Sequence, residues 1–238
     1  MTKTYLDIKQ QENTLFEKWM TKENRQPFIK DGVPSPETYT EHDLKILFIL
    51  KDANFGISEK DLENGSYRKT PHDLRNELKD KPDKWWYKSE ISNWCAVISS
   101  STQVWPVNHT EKTSDLFAPF AFMQLKKMAG GSSINDKKLW QFATEDKEEI
   151  YAQINIYQPK IIVCCGVGKI VYKTIFQGNE PLQYTPNGIG FWMVENQAIN
   201  TQTFIINFCH PSARYGKKIS GPVSFGLRDA IDYLKQIS

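Results

Sequence analysis

The chain has no long hydrophobic run: none approaches the ~20 residues that a membrane-spanning helix needs. Its first residues, MTKTYLDIKQQENTLF, are polar and mixed in charge, unlike a secretory leader, so a cytoplasmic protein with no membrane partner is expected. Cysteine is scarce. The four, Cys95, Cys164, Cys165 and Cys209, show no C-x-x-C spacing, and three sit in apolar surroundings that favour buried free thiols. Neighbours such as Cys164 and Cys165 point to opposite faces of a strand and cannot share one metal, so neither zinc nor an iron–sulfur cluster is expected. Charge of one sign is lacking too. A net +2 excludes histone-like basicity and neither requires nor forbids a nucleic-acid partner. A G-x-G-x-x-G fingerprint is absent. Gly166-x-Gly168-Lys169 is no phosphate loop, because Val163 stands where the loop needs glycine and Ile170 where it needs Ser or Thr.

What is present is a set of short apolar runs: Ile46 to Leu50, Ile161 to Cys165 and Phe204 to Cys209, with a fourth at Phe117 to Leu125 weakened by Pro119. Unbroken runs rich in Ile, Val and Phe fit strands covered on both faces. The spacers suit crossover helices. Glu145 to Tyr157 and Lys169 to Phe176 read as helical, and Ser224 to Ile237 carries Leu227, Ala230, Ile231 and Leu234 on one face. Alternating strands and helices predict an α/β fold, three layers α/β/α around a central, mainly parallel four-stranded sheet. The 238 residues read as one domain, with a Trp-rich helical and loop insertion around 58–113 carrying Trp85, Trp86, Trp94 and Trp105. In such sheets ligands sit beyond the carboxyl ends of the strands.

Two strand ends carry the chemistry. Lys51-Asp52-Ala53-Asn54-Phe55-Gly56 follows the first strong strand, and His210-Pro211-Ser212-Ala213-Arg214 follows the last. Together they resemble the two signature motifs of the uracil-DNA glycosylase superfamily. Phe122-Met123-Gln124-Leu125-Lys126-Lys127, followed by Gly130-Gly131, is similar to that family's base-reading segment, so the resemblance spans about residues 45 to 215. It implies hydrolysis of the N-glycosidic bond of a base flipped out of DNA, leaving an abasic site, with no cofactor. Asp52 would orient water and stabilise an oxocarbenium-like sugar. His210 would donate a hydrogen bond to the departing base. Asn54, Phe55 and Gln124 would bind the base by contact, stacking and edge-reading. Lys51, Ser212, Arg214, Tyr215, Lys217 and Lys218 would hold DNA, and no carboxylate interrupts the stretch from Cys209 to Arg228. A monomer suffices for this chemistry.

Each residue has a plainer role open to it. Asp52 could cap a helix, His210 could be structural, Phe55 and Trp86 could be core, the basic run could be a solvated loop, and His42, His72 and His109 read as surface or loop residues without partners.

The chain also departs from the family. Lys51 stands where glycine is usual, Asn54 where proline is usual, and Gln124 where the common members carry the asparagine that selects uracil. A Gln amide is displaced by one methylene, which points to a modified cytosine, such as the glucosylated hydroxymethylcytosine of phage DNA attacked in anti-phage defence. Uracil repair, a catalytically silent DNA-binding module, and an unrelated nucleotide-binding α/β protein are the alternatives, in that order.

Overall fold

The computed structural model describes residues 4–22, 25–51, 60, 64, 72–82, 88–100, 112–128, 130, 134–196, 201–213 and 217–237, with backbone only at 88, 196, 201 and 217–222. The chain begins with α1 (Tyr5–Met20), β1 (Ile29–Lys30), α2 (Pro36–Glu41) and β2 (Ile46–Leu50). Next come β3 (His72–Asp73), α3 (Leu74–Asp80), α4 (Lys88–Ser99), α5 (Thr113–Phe117) and β4 (Phe120–Gln124). Helices α6 (Asp136–Glu145) and α7 (Lys147–Tyr157) lead to β5 (Ile161–Cys165), and α8 (Gly168–Ile170) runs on as a π-helical turn over Val171–Ile175. Strands β6 (Gln183–Tyr184), β7 (Gly190–Asn196) and β8 (Thr201–Phe208) precede α9 (Lys217–Gln236).

The main sheet has six strands in the order β4-β2-β5-β8-β7-β6, against the four expected. The pairs β4–β2, β2–β5 and β5–β8 are parallel, while β8–β7 and β7–β6 are antiparallel. The two additional strands escaped the sequence reading because β7, GFWMVEN, is neither an unbroken apolar run nor a strict alternation. β4 starts at Phe120, since Phe117 still belongs to α5 and Pro119 cannot donate to a ladder. The expected helix over Lys169 to Phe176 forms as a single α turn followed by the π segment.

The runs ILFIL and IIVCC are continuous because both of their faces are covered. Phe48, Phe122, Val163, Ile206 and Phe208 pack against α3, α4, α5 and α9 on one side. Ile49, Met123, Ile162, Cys164 and Ile205 pack against α1, α6, α7 and the π segment on the other. Cys95, Cys164 and Cys165 are buried free thiols, and Cys209 is half-buried. Trp94 is fully buried, edge-on to Phe208 at 5.0 Å and stacked on Phe48 at 6.5 Å, so it belongs to the core. Trp85, Trp86 and Trp105 lie outside the described residues. His72 is not solitary: its Nε2 lies 2.6 Å from Glu77 Oε2. Among the described residues no helix is long and apolar enough to cross a membrane.

The strand order fixes where a site can form. From β2 the chain crosses to β4 on one side, with α3–α5 covering one face, then to β5 on the other side, with α6 and α7 covering the opposite face. The carboxyl end of β2 is therefore the topological switch point, where a crevice opens in sheets of this kind.

One edge of the sheet is closed by the segment before α2. Phe28 and Met128 form an antiparallel bridge, as do Gly32 and Phe122, and the Phe122 N–H donates to Gly32 O at 2.9 Å. Gly32 has φ +135°, and a Cβ there would overlap Glu12 Oε1 and Tyr157 OH, both buried. Gly32→Ala combines backbone strain with a steric clash, and about 3 kcal/mol or more of destabilisation is expected in urea unfolding.

Candidate active site

Lys51 is the first residue beyond β2, and its carbonyl accepts the Lys126 N–H at 3.0 Å, one step past the β2–β4 ladder. Gly166 turns the chain after β5 with φ +74°, its N–H donating to Phe208 O at 2.8 Å. A Cβ on Gly166 would stand 3.2 Å from His210 Cβ and 3.5 Å from Lys51 Cε. Glycine at this point lets the ends of β2, β5 and β8 converge, so Lys51 and His210, separated by most of the chain, become neighbours.

His210 is half-buried in a tight turn, with the Ala213 N–H donating to His210 O at 2.9 Å. Its Nδ1 accepts the Ser212 N–H at 3.2 Å and lies 2.7 Å from Ser212 Oγ. A ring nitrogen that accepts a backbone N–H carries no proton, so neutral His210 holds its proton on Nε2. Burial, and secondarily the nearby Lys51 cation, depress its pKa to about 4. Above that pH the ring is a neutral donor through Nε2. The Lys51 amine lies 3.3 Å from Asp136 Oδ1, an exposed carboxylate in the first turn of α6. Lys51→Met removes the smaller of the two causes, so a histidine NMR titration should show the His210 pKa rising, while remaining below the ordinary 6.5 because burial persists.

Gln124 ends β4 opposite Leu50 of β2. The two-residue period puts it on the face of Phe120 and Phe122, whereas Met123 points into the opposite layer. Its side chain is completely buried, and among the described residues neither Oε1 nor Nε2 has a hydrogen-bond partner. Burying an unpaired amide is unfavourable by about 1–3 kcal/mol. Native structures rarely contain one without a reason.

Asp52, Asn54, Phe55, Arg214 and Tyr215 lie outside the described residues. Lys217 and Lys218 open helix α9 instead of extending a loop, and only their backbone is described. Ser212 is exposed and turns its hydroxyl to the His210 ring.

Sequence reasoning missed a buried polar network behind β4. Asp31 Oδ2 accepts the Gln124 backbone N–H at 2.6 Å. Asp31 Oδ1 pairs with Lys127 Nζ and accepts Gln153 Nε2 at 2.8 Å. Gln153 Nε2 also donates to Tyr157 OH, which donates to Glu12 Oε1 at 2.8 Å, and Arg75 binds Glu12 Oε2 at 2.8 Å. Burial pushes the Lys127 amine down and the Glu12 carboxyl up from their ordinary pKa ranges, against the pull of their partners. The available signal was Lys126-Lys127, one residue past the end of a strand buried on both faces, where a cation needs a partner.

No family model matches the chain, and no curated protein shows significant similarity to it.

Proposed function

We propose that the protein is a DNA glycosylase that hydrolyses the N-glycosidic bond of a flipped non-standard pyrimidine, preferring a modified cytosine to uracil. The observation that carries this reading is the buried, unpartnered amide of Gln124 at a strand end of the sheet whose neighbouring ends bring together Lys51 and neutral His210. A carboxamide offers a donor and an acceptor side by side, the complement of a pyrimidine's Watson–Crick edge. A neutral histidine donating through Nε2 suits an oxygen that gains negative charge as the base leaves, and the Lys51 cation favours the same charge. Four parallel strands in the order β4-β2-β5-β8, covered by helices on both faces, accord with the uracil-DNA glycosylase-like architecture. Arg214, Lys217 and Lys218, close behind His210 in sequence, suit a phosphate backbone.

Cytosine and uracil edges present donor and acceptor in opposite order. An amide that no described residue binds can turn over and meet either. Selection then falls to the lining of the site, where the Gln amide is displaced by one methylene from an Asn amide and Lys51 adds a charge, both of which favour a base unlike plain uracil.

Oligonucleotides containing uracil, and phage DNAs whose cytosines are unmodified, hydroxymethylated or glucosylated, test the reading. Abasic sites revealed by alkaline cleavage, and lost in Asp52→Asn, are expected, with modified cytosine the best substrate. DNA binding with no base release from any sample would replace the enzyme with a silent base-recognition module.

A further inference from the structure

We infer that Asp31 is the positioning and specificity-determining residue that holds Gln124, acting through the backbone from the outer edge of β4. For the identity of the ligand the inference rests on the glycosylase reading. For the positioning itself it rests on geometry alone.

The segment 28–32 runs antiparallel along the outer edge of β4, and the ladder reaches the Gly32–Phe122 bridge. Between that bridge and the Phe28–Met128 bridge, the next N–H on that edge, that of Gln124, is met by the Asp31 carboxylate at 2.6 Å. A side chain thus fills the gap in the ladder at the residue whose amide has no partner among the described residues. The other Asp31 oxygen is held by Lys127 Nζ and by Gln153 Nε2, so the carboxylate cannot swing away. Gln153 joins this oxygen to Tyr157 on α7 and Glu12 on α1, and Glu12 is tied in turn to Arg75 on α3. Three helices and the close packing against Gly32 therefore fix one backbone N–H. Asp31 and Lys127 are both fully buried, and a buried ion pair is weak evidence of a stabilising role. Their retention is better explained by what they align. Among the described residues the Gln124 amide has no bond of its own to orient it, so its location depends on its main chain, and Asp31 sets that main chain.

Two double variants separate positioning from stability, each removing both charges so that none is left buried alone. Asp31→Asn with Lys127→Met keeps a neutral acceptor for the Gln124 N–H, and Asp31→Leu with Lys127→Met removes it. The first readout needs no substrate: hydrogen exchange of the Gln124 backbone amide, followed by NMR. Exchange should rise about fivefold in the Asn pair, since a neutral acceptor is weaker than a charged one, and more in the Leu pair. Amides of β2 should not change in parallel. The second readout is the ratio of base-release rates on modified-cytosine and uracil DNA. A loss of folded protein lowers both rates equally and leaves the ratio alone, whereas a displaced Gln124 changes it. A shift of about tenfold is expected in the Leu pair, with the Asn pair within about threefold of the parent. Unchanged Gln124 exchange in the Asn pair would overturn the inference even if the Leu pair fails to fold. An unchanged ratio in a folded Leu pair would overturn it equally. A parent protein that releases no base would overturn the glycosylase reading, and the exchange result would still decide the role of Asp31.

Discussion

Gln124→Leu is expected to raise stability while abolishing selective base release. The two effects have one cause. The Gln124 side chain is fully buried with both polar atoms unpaired among the described residues, so the native state bears the desolvation of an amide without a compensating hydrogen bond. Leucine is of similar size and has no polar atom, and it would lie beside Leu50 on the face already occupied by Phe48 and Phe122. Removing the unpaired amide should gain about 1–3 kcal/mol, which in a chain of this length raises Tm by roughly 2–4 °C per kcal/mol. The same change removes the donor and acceptor that would meet the base edge. A site built to hydrogen-bond its ligand can lose on the order of 10²-fold or more when one partner disappears. Differential scanning calorimetry and a base-release assay on one preparation check both. A variant that is destabilised and fully active would show that the amide has a structural partner and no base to read.

That opposition explains why the sequence was a partial guide. The parallel strands were legible because ILFIL and IIVCC are buried on both faces, so each residue had to be apolar. β7 was not, because its Met193 and Glu195 are exposed while Phe191 and Trp192 are consecutive and buried. At the candidate site, His210 was legible as a polar residue just past the carboxyl end of an apolar strand, and Gln124 only through the resemblance of its segment to a base-reading motif. Asp31 and Glu12 were not legible. Their neighbours in the sequence are ordinary, and the partners that give them meaning, Lys127, Gln153 and Arg75, are distant in the chain and meet only after the layers pack. Lys51 was legible as a residue type at a strand end, but its effect on His210 depends on Gly166, whose missing side chain lets the two ends approach.

His210→Ala should slow base release by about 10²–10³-fold and leave KM within a few-fold, because under the proposed function its Nε2–H would serve an oxygen whose charge develops only as the bond breaks. The pH dependence separates this role from that of a general acid. A catalyst that had to be the imidazolium would lose activity as pH rose past its pKa of about 4, leaving almost none at neutrality. A neutral donor held by its tautomer gives the reverse: activity steady from neutral pH downward, failing only near pH 4, where the proton gained by Nδ1 expels the Ser212 N–H that orients the ring. Lys51→Met should move that acid limb to higher pH, because the lysine cation is one of the two influences holding the ring neutral. Stability should follow the same titration. Between pH 6.5 and about 4 the unfolded chain binds a proton that the native ring refuses, so stability is complete above 6.5 and falls as pH falls through the window. Ser212→Ala removes the hydroxyl beside Nδ1 but keeps the backbone N–H that fixes the tautomer, so a loss nearer tenfold is expected, with the acid limb unmoved. If His210→Ala and Ser212→Ala cause equal losses and Lys51→Met leaves the pH profile untouched, the ring serves the turn and not the reaction.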